Sequence, residues 1–174
     1  MNWQTVSRIT MASLLACALA LAPARTQAQA SGGTVLSATD VQKLLPASVW
    51  YAGQSAPTEL RNSGGVKFAD GHFVLATLVE TSGYSTAIAA KYQAYFVAEV
   101  PLQIGGQSLP AGVYGVGFIA GNKFVVTDIG ANDVFTVPST SDTALARPRP
   151  LVVTTDPAGG FRLYAGRNYV TFTH

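Results

Sequence analysis

The sequence predicts an all-β domain: a small antiparallel β-sandwich or closed barrel of about eight short strands with one or two short helices. Two observations favour this fold class. The chain has 17 glycines and nine prolines, which divide it into short pieces. Between them lie runs rich in valine, isoleucine, phenylalanine, tyrosine and threonine, residues that pack well on a pleated surface. Frequent turns between short β-prone runs are typical of sandwiches and barrels.

The elements follow from these runs. Asp70-Gly71 and Gly121-Asn122 are tight-turn pairs between apolar runs and predict two hairpins. A short helix is expected at 39–45, capped by Ser37 or Thr39 and ended by Pro46, and another at 85–92. Strands are expected at 49–52, 66–68, 72–80, 95–100, 112–120, 123–129, 134–137, 151–155, 161–164 and 169–173.

One strand is expected to be central. Along 72–80 both faces are largely apolar, with Phe73, Leu75 and Thr77 on one and Val74, Ala76 and Leu78 on the other. This pattern indicates burial on both sides. Two residues of the 123–129 strand, Val125 and Ile129, are also expected in the core.

The strand at 112–120 carries two glycines, Gly115 and Gly117, on the same face. Such a flat strip permits close approach by a ligand or a partner backbone. It also leaves room for a large side chain of the same protein, which is the commoner role of a strand glycine.

Residues 1–30 have the layout of a secretory signal peptide. Arg8 precedes an apolar stretch at 9–24, which is shorter than a spanning helix needs, and small residues occupy the end at Ala28-Gln29-Ala30. We expect cleavage between Ala30 and Ser31, with cleavage after Ala28 as the alternative, leaving a single β-rich domain at 31–174. The protein is therefore expected to be exported, to the periplasm or the cell exterior.

Cys17 is the sole cysteine and lies inside this segment. A lipid anchor through Cys17 is an alternative, but Leu15 is bulky for a lipoprotein cleavage box and the following residues stay apolar. With the segment removed, no cysteine is left for a disulfide, a thiolate zinc site or a nucleophile.

Charge excludes one class of partner. Loss of Arg8 and Arg25 with the signal leaves nine basic and nine acidic residues, so the expected domain has no net charge. Nucleic-acid binding is therefore not expected, because it requires an excess of positive charge on the protein. The one surviving basic cluster is Arg147-Pro148-Arg149, within a segment at 146–150 that we expect to be an extended, unpaired surface connector into a strand at Leu151. Its arginines either contact an acidic partner or lipid head groups, or guard a sheet edge.

The strongest enzyme-like signal is Gly83-Tyr84-Ser85-Thr86-Ala87, which resembles the Gly-x-Ser-x-Gly nucleophile elbow. A hydrolase would use Ser85 with a downstream aspartate and His174. The predicted fold lacks the parallel sheet of that enzyme class, and Ser85 is equally suited to cap a helix.

Other candidate groups of metal-binding or catalytic side chains are smaller. Asp70 with His72 supplies two potential metal ligands where a site needs three or four, and Asp128 with Asp133 is the closest acidic pair. The tyrosines suit either a binding surface or ordinary half-buried strands. We therefore assign no catalytic, cofactor-binding or metal-binding residue.

Several segments resemble a group of uncharacterised exported bacterial β-rich proteins, with a likeness spanning residues 44–170. The segments are turn and strand signatures, so the resemblance implies a fold and no site residue. They are Phe68-Ala69-Asp70-Gly71, Thr81-Ser82-Gly83-Tyr84, Ile104-Gly105-Gly106, Leu109-Pro110-Ala111-Gly112-Val113-Tyr114 and Arg162-Leu163-Tyr164-Ala165-Gly166-Arg167.

The expected function is a non-enzymatic domain that binds an unidentified ligand or envelope partner outside the cytoplasm, without a cofactor and without a transmembrane helix in the mature chain. Two alternatives stay open: a small outer-membrane β-barrel, and a serine hydrolase centred on Ser85.

Overall fold

A computed structural model describes residues 32–174 of the chain. The predicted cleavage site at Ala30 and Ser31, like Cys17, lies outside the described residues. Fourteen strands and two short helices follow in this order: β1 Gly33–Leu36, α1 Ala38–Val41, β2 Ser48–Tyr51, β3 Gln54–Phe68, β4 Phe73–Val79, α2 Thr86–Ala89, β5 Ala94–Ala98, β6 Leu102–Ile104, β7 Gln107–Leu109, β8 Gly112–Ile119, β9 Lys123–Thr127, β10 Asp133–Pro138, β11 Thr140–Ser141, β12 Arg149–Thr155, β13 Phe161–Gly166 and β14 Asn168–Thr173.

The strands form two antiparallel sheets. The larger has the order β1-β3-β4-β5-β8-β9-β10, with β2 paired to β3, and the smaller has the order β12-β13-β14-β6-β7, with β11 paired to β14. Among residues 32–174 neither sheet closes on itself, so these residues form the predicted sandwich and not a closed barrel. The all-β prediction is confirmed. No helix within 32–174 is long and apolar enough to cross a membrane.

The main core lies between the two sheets. Its largest buried side chains come from both, with Phe96 and Phe124 on the larger sheet facing Leu163 and Phe172 on the smaller. The rings of Phe96 and Phe172 meet edge to face, with their centroids 6.5 Å apart. Burial of apolar surface from both sheets supplies the main stabilising free energy of this architecture.

Strand β4 is buried on both faces, as predicted. Val74 and Ala76 face the main core, whereas Leu75 packs on the other side against Val41 and Leu45 of the α1 segment. Val125 is also buried, but the prediction for Ile129 is wrong, because that side chain is 57% exposed. Strand β9 ends at Thr127, so Ile129 lies in the following turn and has left the sheet.

Both predicted hairpins form. β3 and β4 flank the Asp70-Gly71 turn, and β8 and β9 flank Gly121-Asn122, where Asn122 takes a positive φ of 52°. The described residues contain fourteen strands, four more than the ten ranges predicted from the sequence. The extra ones are β1 and the very short β6, β7 and β11, which offer no apolar run long enough to stand out.

The glycine strip on β8 serves internal packing. A Cβ at position 115 would lie 2.5 Å from the ring of Tyr51, and one at position 117 would collide with the carbonyl oxygen of Lys91. The strip therefore accepts a side chain and a backbone segment of the same protein, as the commoner role of strand glycines predicts.

Candidate functional site

Ser85 is a helix cap. Its Oγ accepts a hydrogen bond from the backbone N–H of Ile88, at 3.4 Å, at the start of α2. The histidine that a triad would need, His174, lies near Asp70, before the first residue of β4, whereas Ser85 follows the last. Because the seven residues of β4 span roughly 23 Å, Ser85 and His174 are not brought together.

The Asp70 and His72 pair forms a local contact beside the hairpin turn. The Nδ1 atom of His72 lies 3.1 Å from a carboxylate oxygen of Asp70, and Nε2 of His174 lies 3.6 Å from the same oxygen. The backbone N–H of His72 also donates to Asp70, and this bond is the main cause of the lowered pKa of that carboxyl. Within 32–174, no group of three histidine, cysteine or acidic side chains is arranged to hold a metal ion.

The acidic pair has structural partners as well. Asp128 accepts from the side chain of Asn132 and from the backbone N–H of Gly130, whereas Asp133 forms an ion pair with Lys91 at 2.6 Å. Asp128 thus shapes the β9–β10 connection, and Asp133 ties the start of β10 to Lys91, between α2 and β5.

The tyrosines also contribute to packing. The rings of Tyr51 and Tyr92 are stacked with centroids 3.6 Å apart, and Tyr84 meets Tyr92 edge to face. The hydroxyl of Tyr51 bonds to Oγ1 of Thr127 at 2.6 Å, inside the core. Burial raises the pKa of the Tyr92 phenol, and the three rings belong to one apolar cluster in which Tyr51 and Tyr92 are fully buried.

A feature that the sequence did not reveal is a wide bulge in β3. Glu59 pairs with Leu78 and Ser63 pairs with Thr77, so one step along β4 corresponds to four along β3. The extra residues are Leu60, Arg61 and Asn62. Ser63 closes the bulge by donating to the Leu60 carbonyl at 2.6 Å. The exposed Arg61 is thereby placed on a fixed projection from the sheet.

Strand β12 of the other sheet approaches this bulge closely. A Cβ at Gly64 would lie 2.8 Å from the backbone nitrogen of Val153, so only glycine permits the contact. The approach leaves a groove of about 590 Å³, which we call the arginine groove. Its walls are residues 35–38, residues 61–63 and residues 149–153.

The arginine groove is cationic. Arg61 and Arg149 both line it, and no lining side chain from the described part of the chain is a carboxylate. Among residues 32–174, neither guanidinium has a hydrogen-bond or ion-pair partner, whereas Arg162 and Arg167 are both tied to protein groups. Two uncompensated guanidinium groups at one groove attract anions, and each can hold a carboxylate or phosphate through two parallel hydrogen bonds.

The predicted connector at 146–150 is exposed throughout. The prediction that it stays unpaired up to Leu151 needs correction, since β12 begins at Arg149, which pairs with Gly166. The basic cluster in the sequence points to Arg147 and Arg149, whereas no pattern in the sequence points to Arg61. The polar run around Arg61 has no strand pattern, and the groove joins segments almost ninety residues apart in the sequence.

Comparison with known proteins found no matching family model, no matching curated protein and no matching solved structure. The resemblance suggested by the turn motifs therefore stays a prediction, and the function has to be argued from the geometry of this chain.

Proposed function

We propose that this domain is an exported binding protein whose ligand carries negative charge and is held in the arginine groove by Arg61 and Arg149. The observation that carries the proposal is that both guanidinium groups line one groove without an acidic partner among residues 32–174. Solubility alone does not require two arginines from different sheets, Arg61 of β3 and Arg149 of β12, to line the same groove.

The local backbone supports the same proposal. Arg61 projects from a bulge closed by Ser63, and Gly64 brings β12 alongside it. A strand bulge often re-aims a side chain next to a functional site. Because both arginines are presented by strands rather than by long loops, the groove is organised before the ligand arrives, which lowers the entropic cost of binding.

Titration with citrate tests the proposal, since this tricarboxylate can contact two guanidinium groups. We expect saturable shifts of the Arg61 and Arg149 Nε–H signals in nuclear magnetic resonance spectra of the purified protein. The signals of Arg162 and Arg167, which already donate to protein oxygens, serve as internal controls and should stay in place.

Substitution of each arginine measures its contribution to citrate affinity. Arg61→Gln or Arg149→Gln should weaken citrate binding about 10-fold each, as expected for loss of a charged hydrogen bond. Lys123→Gln is the control, because Lys123 is an exposed cation of β9 that does not line the groove. Equal affinity in all variants, or no shift at millimolar citrate, would contradict the proposal.

A further inference from the structure

A second cavity adjoins the arginine groove and shares Arg149 with it. This loop pocket has a volume of about 290 Å³ and is lined by Leu145, Arg147, Arg149, Val152, Thr154 and Tyr164. Its volume lies at the lower end of the range for small-molecule sites, roughly 300–1,000 Å³. None of its lining residues, within the part of the chain that the structure describes, is acidic.

The pocket is a built feature of the fold. Val152 and Tyr164 are cross-strand partners on β12 and β13, on the sheet face opposite to the core residues Val153 and Leu163. That face would normally meet solvent. Residues of the segment at 142–148 cover part of it instead: Leu145 and Arg147 line the pocket with Val152, and Asp142 bonds to the buried Tyr164.

Hydrogen bonds fix this covering segment. Arg167 donates to the backbone carbonyls of Asp142, Thr143 and Leu145, and the Tyr164 hydroxyl donates to the Asp142 carboxylate at 3.1 Å. Leu145 is therefore held in place. The Tyr164 hydroxyl also accepts from Arg162, so it is already engaged by protein groups and is poorly suited to recognise a polar ligand.

We infer that the ligand of the arginine groove is a single-chain amphipathic anion, with its charged head at Arg149 and its alkyl chain in the loop pocket. The inference rests on the proposed function and adds the chemical class of the ligand. Arg149 lines both cavities, so one molecule can meet the cation with its head and the apolar side chains of Leu145 and Val152 with its chain. The positive charge of Arg149 thus lies next to apolar side chains, and an alkyl carboxylate needs both for its head and its chain.

The occupant is a dissolved monomer rather than a bilayer. The pocket holds about 290 Å³, which is enough for one short alkyl chain and too little for a membrane lipid with two long chains. Two or three arginines also give weak attraction to an anionic membrane surface, and the domain at 31–174 has equal numbers of basic and acidic residues.

A chain-length series tests the inference. Butanoate, hexanoate and octanoate should bind the purified protein with affinities that rise about 4-fold for each methylene added, until the pocket is full. Octylammonium, with the same chain and the opposite charge, should not bind. Citrate binding without any dependence on chain length would overturn this inference and leave the proposed function standing, whereas failure of every anion would remove both.

Substitutions in the loop pocket test where the alkyl chain of the ligand binds. Leu145→Gln should abolish the chain-length dependence and leave citrate affinity unchanged, because Leu145 lines the loop pocket and not the arginine groove. The shorter apolar side chain of Leu145→Ala should only reduce the gain per methylene. The matched control is Leu44→Gln, at an exposed leucine that lines neither cavity. Thermal melting of each variant confirms that it is folded. An unchanged octanoate affinity in Leu145→Gln would overturn the inference, as would flotation with phosphatidylglycerol vesicles in the absence of octanoate binding.

Discussion

Arginines in this molecule divide into those committed to the fold and those directed to solvent. Arg162 donates to both carboxylate oxygens of Asp156, at 3.0 and 3.2 Å, and its guanidinium lies 4.5 Å from the ring centroid of Tyr169. The Asp156 side chain is only 5% exposed, so the carboxylate of this pair is shielded from water, whereas the Arg162 side chain is 24% exposed. The bidentate bonds lower the pKa of Asp156 and raise that of Arg162. Arg61 and Arg149 have no such partners among the described residues.

Removing one partner of the shielded pair should be damaging. Asp156→Asn leaves the Arg162 charge without its carboxylate, and we expect the free energy of unfolding to fall by about 2–3 kcal/mol. Urea denaturation measures the change. Asp133→Asn is the matched control, because the Asp133 and Lys91 pair has both side chains more than 40% exposed and should contribute at most about 1 kcal/mol. Similar losses in the two variants would mean that burial does not strengthen the Asp156 pair.

At the scale of the elements, β4 organises the larger sheet. It pairs with β3 on one side and β5 on the other, and its side chains reach two separate apolar clusters. Leu75 belongs to the outer cluster, which the α1 segment covers with Val41 and Leu45. The sandwich therefore has a third, partial layer on this face.

Truncation of Leu75 measures the strength of that layer. Leu75→Ala should reduce the free energy of unfolding by about 2–5 kcal/mol, because it removes buried methyl groups and leaves a cavity beneath α1. Leu44→Ala is the control from the covering segment itself, since Leu44 is 46% exposed. We expect its effect to stay below about 0.5 kcal/mol. A small loss at Leu75 would show that the α1 segment packs loosely on the sheet.

The elements also show where sequence reasoning succeeds and where it stops. Strand β4 and the turns at Asp70-Gly71 and Gly121-Asn122 were predictable, because local patterning and turn chemistry determine them. Strand β3 was predicted only at 66–68, although it spans Gln54–Phe68. Its first part includes Pro57, a polar bulge and two glycines, none of which is typical of a strand. This part is a strand because it pairs with β2 and β4.

The candidate site was less predictable than the fold for the same reason. Arg149 stood out as part of a basic cluster, but nothing local connects it to Arg61. Their meeting depends on the β3 bulge and on the close approach that Gly64 permits. Both features depend on contacts between segments that are distant in the sequence, so no local sequence pattern predicts them. The α2 segment illustrates the converse, because Ser85 resembled a nucleophile and the local geometry shows a cap.

At the scale of the whole molecule, hydrogen-bonded carboxylates connect stability to pH. Bonds from Arg162 lower the pKa of Asp156, the Asn132 side chain lowers that of Asp128, and the backbone N–H of Ser82 lowers that of Glu80. A carboxyl whose pKa is lower in the folded state stabilises the fold above its unfolded pKa, near 4. That contribution is lost as the pH falls through the folded-state pKa. We expect a nearly constant melting temperature from neutral pH to about pH 5, and a steep decline below about pH 4.

The contribution of Asp156 to this decline can be separated from the others. Asp156→Asn lacks the titrating group, so its melting temperature should be lower at neutral pH but should fall less steeply in acid. The two curves should converge at low pH, where Asp156 of the original protein has itself taken up a proton. Calorimetric scans at stepped pH give both slopes. Parallel curves would show that Asp156 does not take part in acid unfolding, and that the other carboxylates account for it.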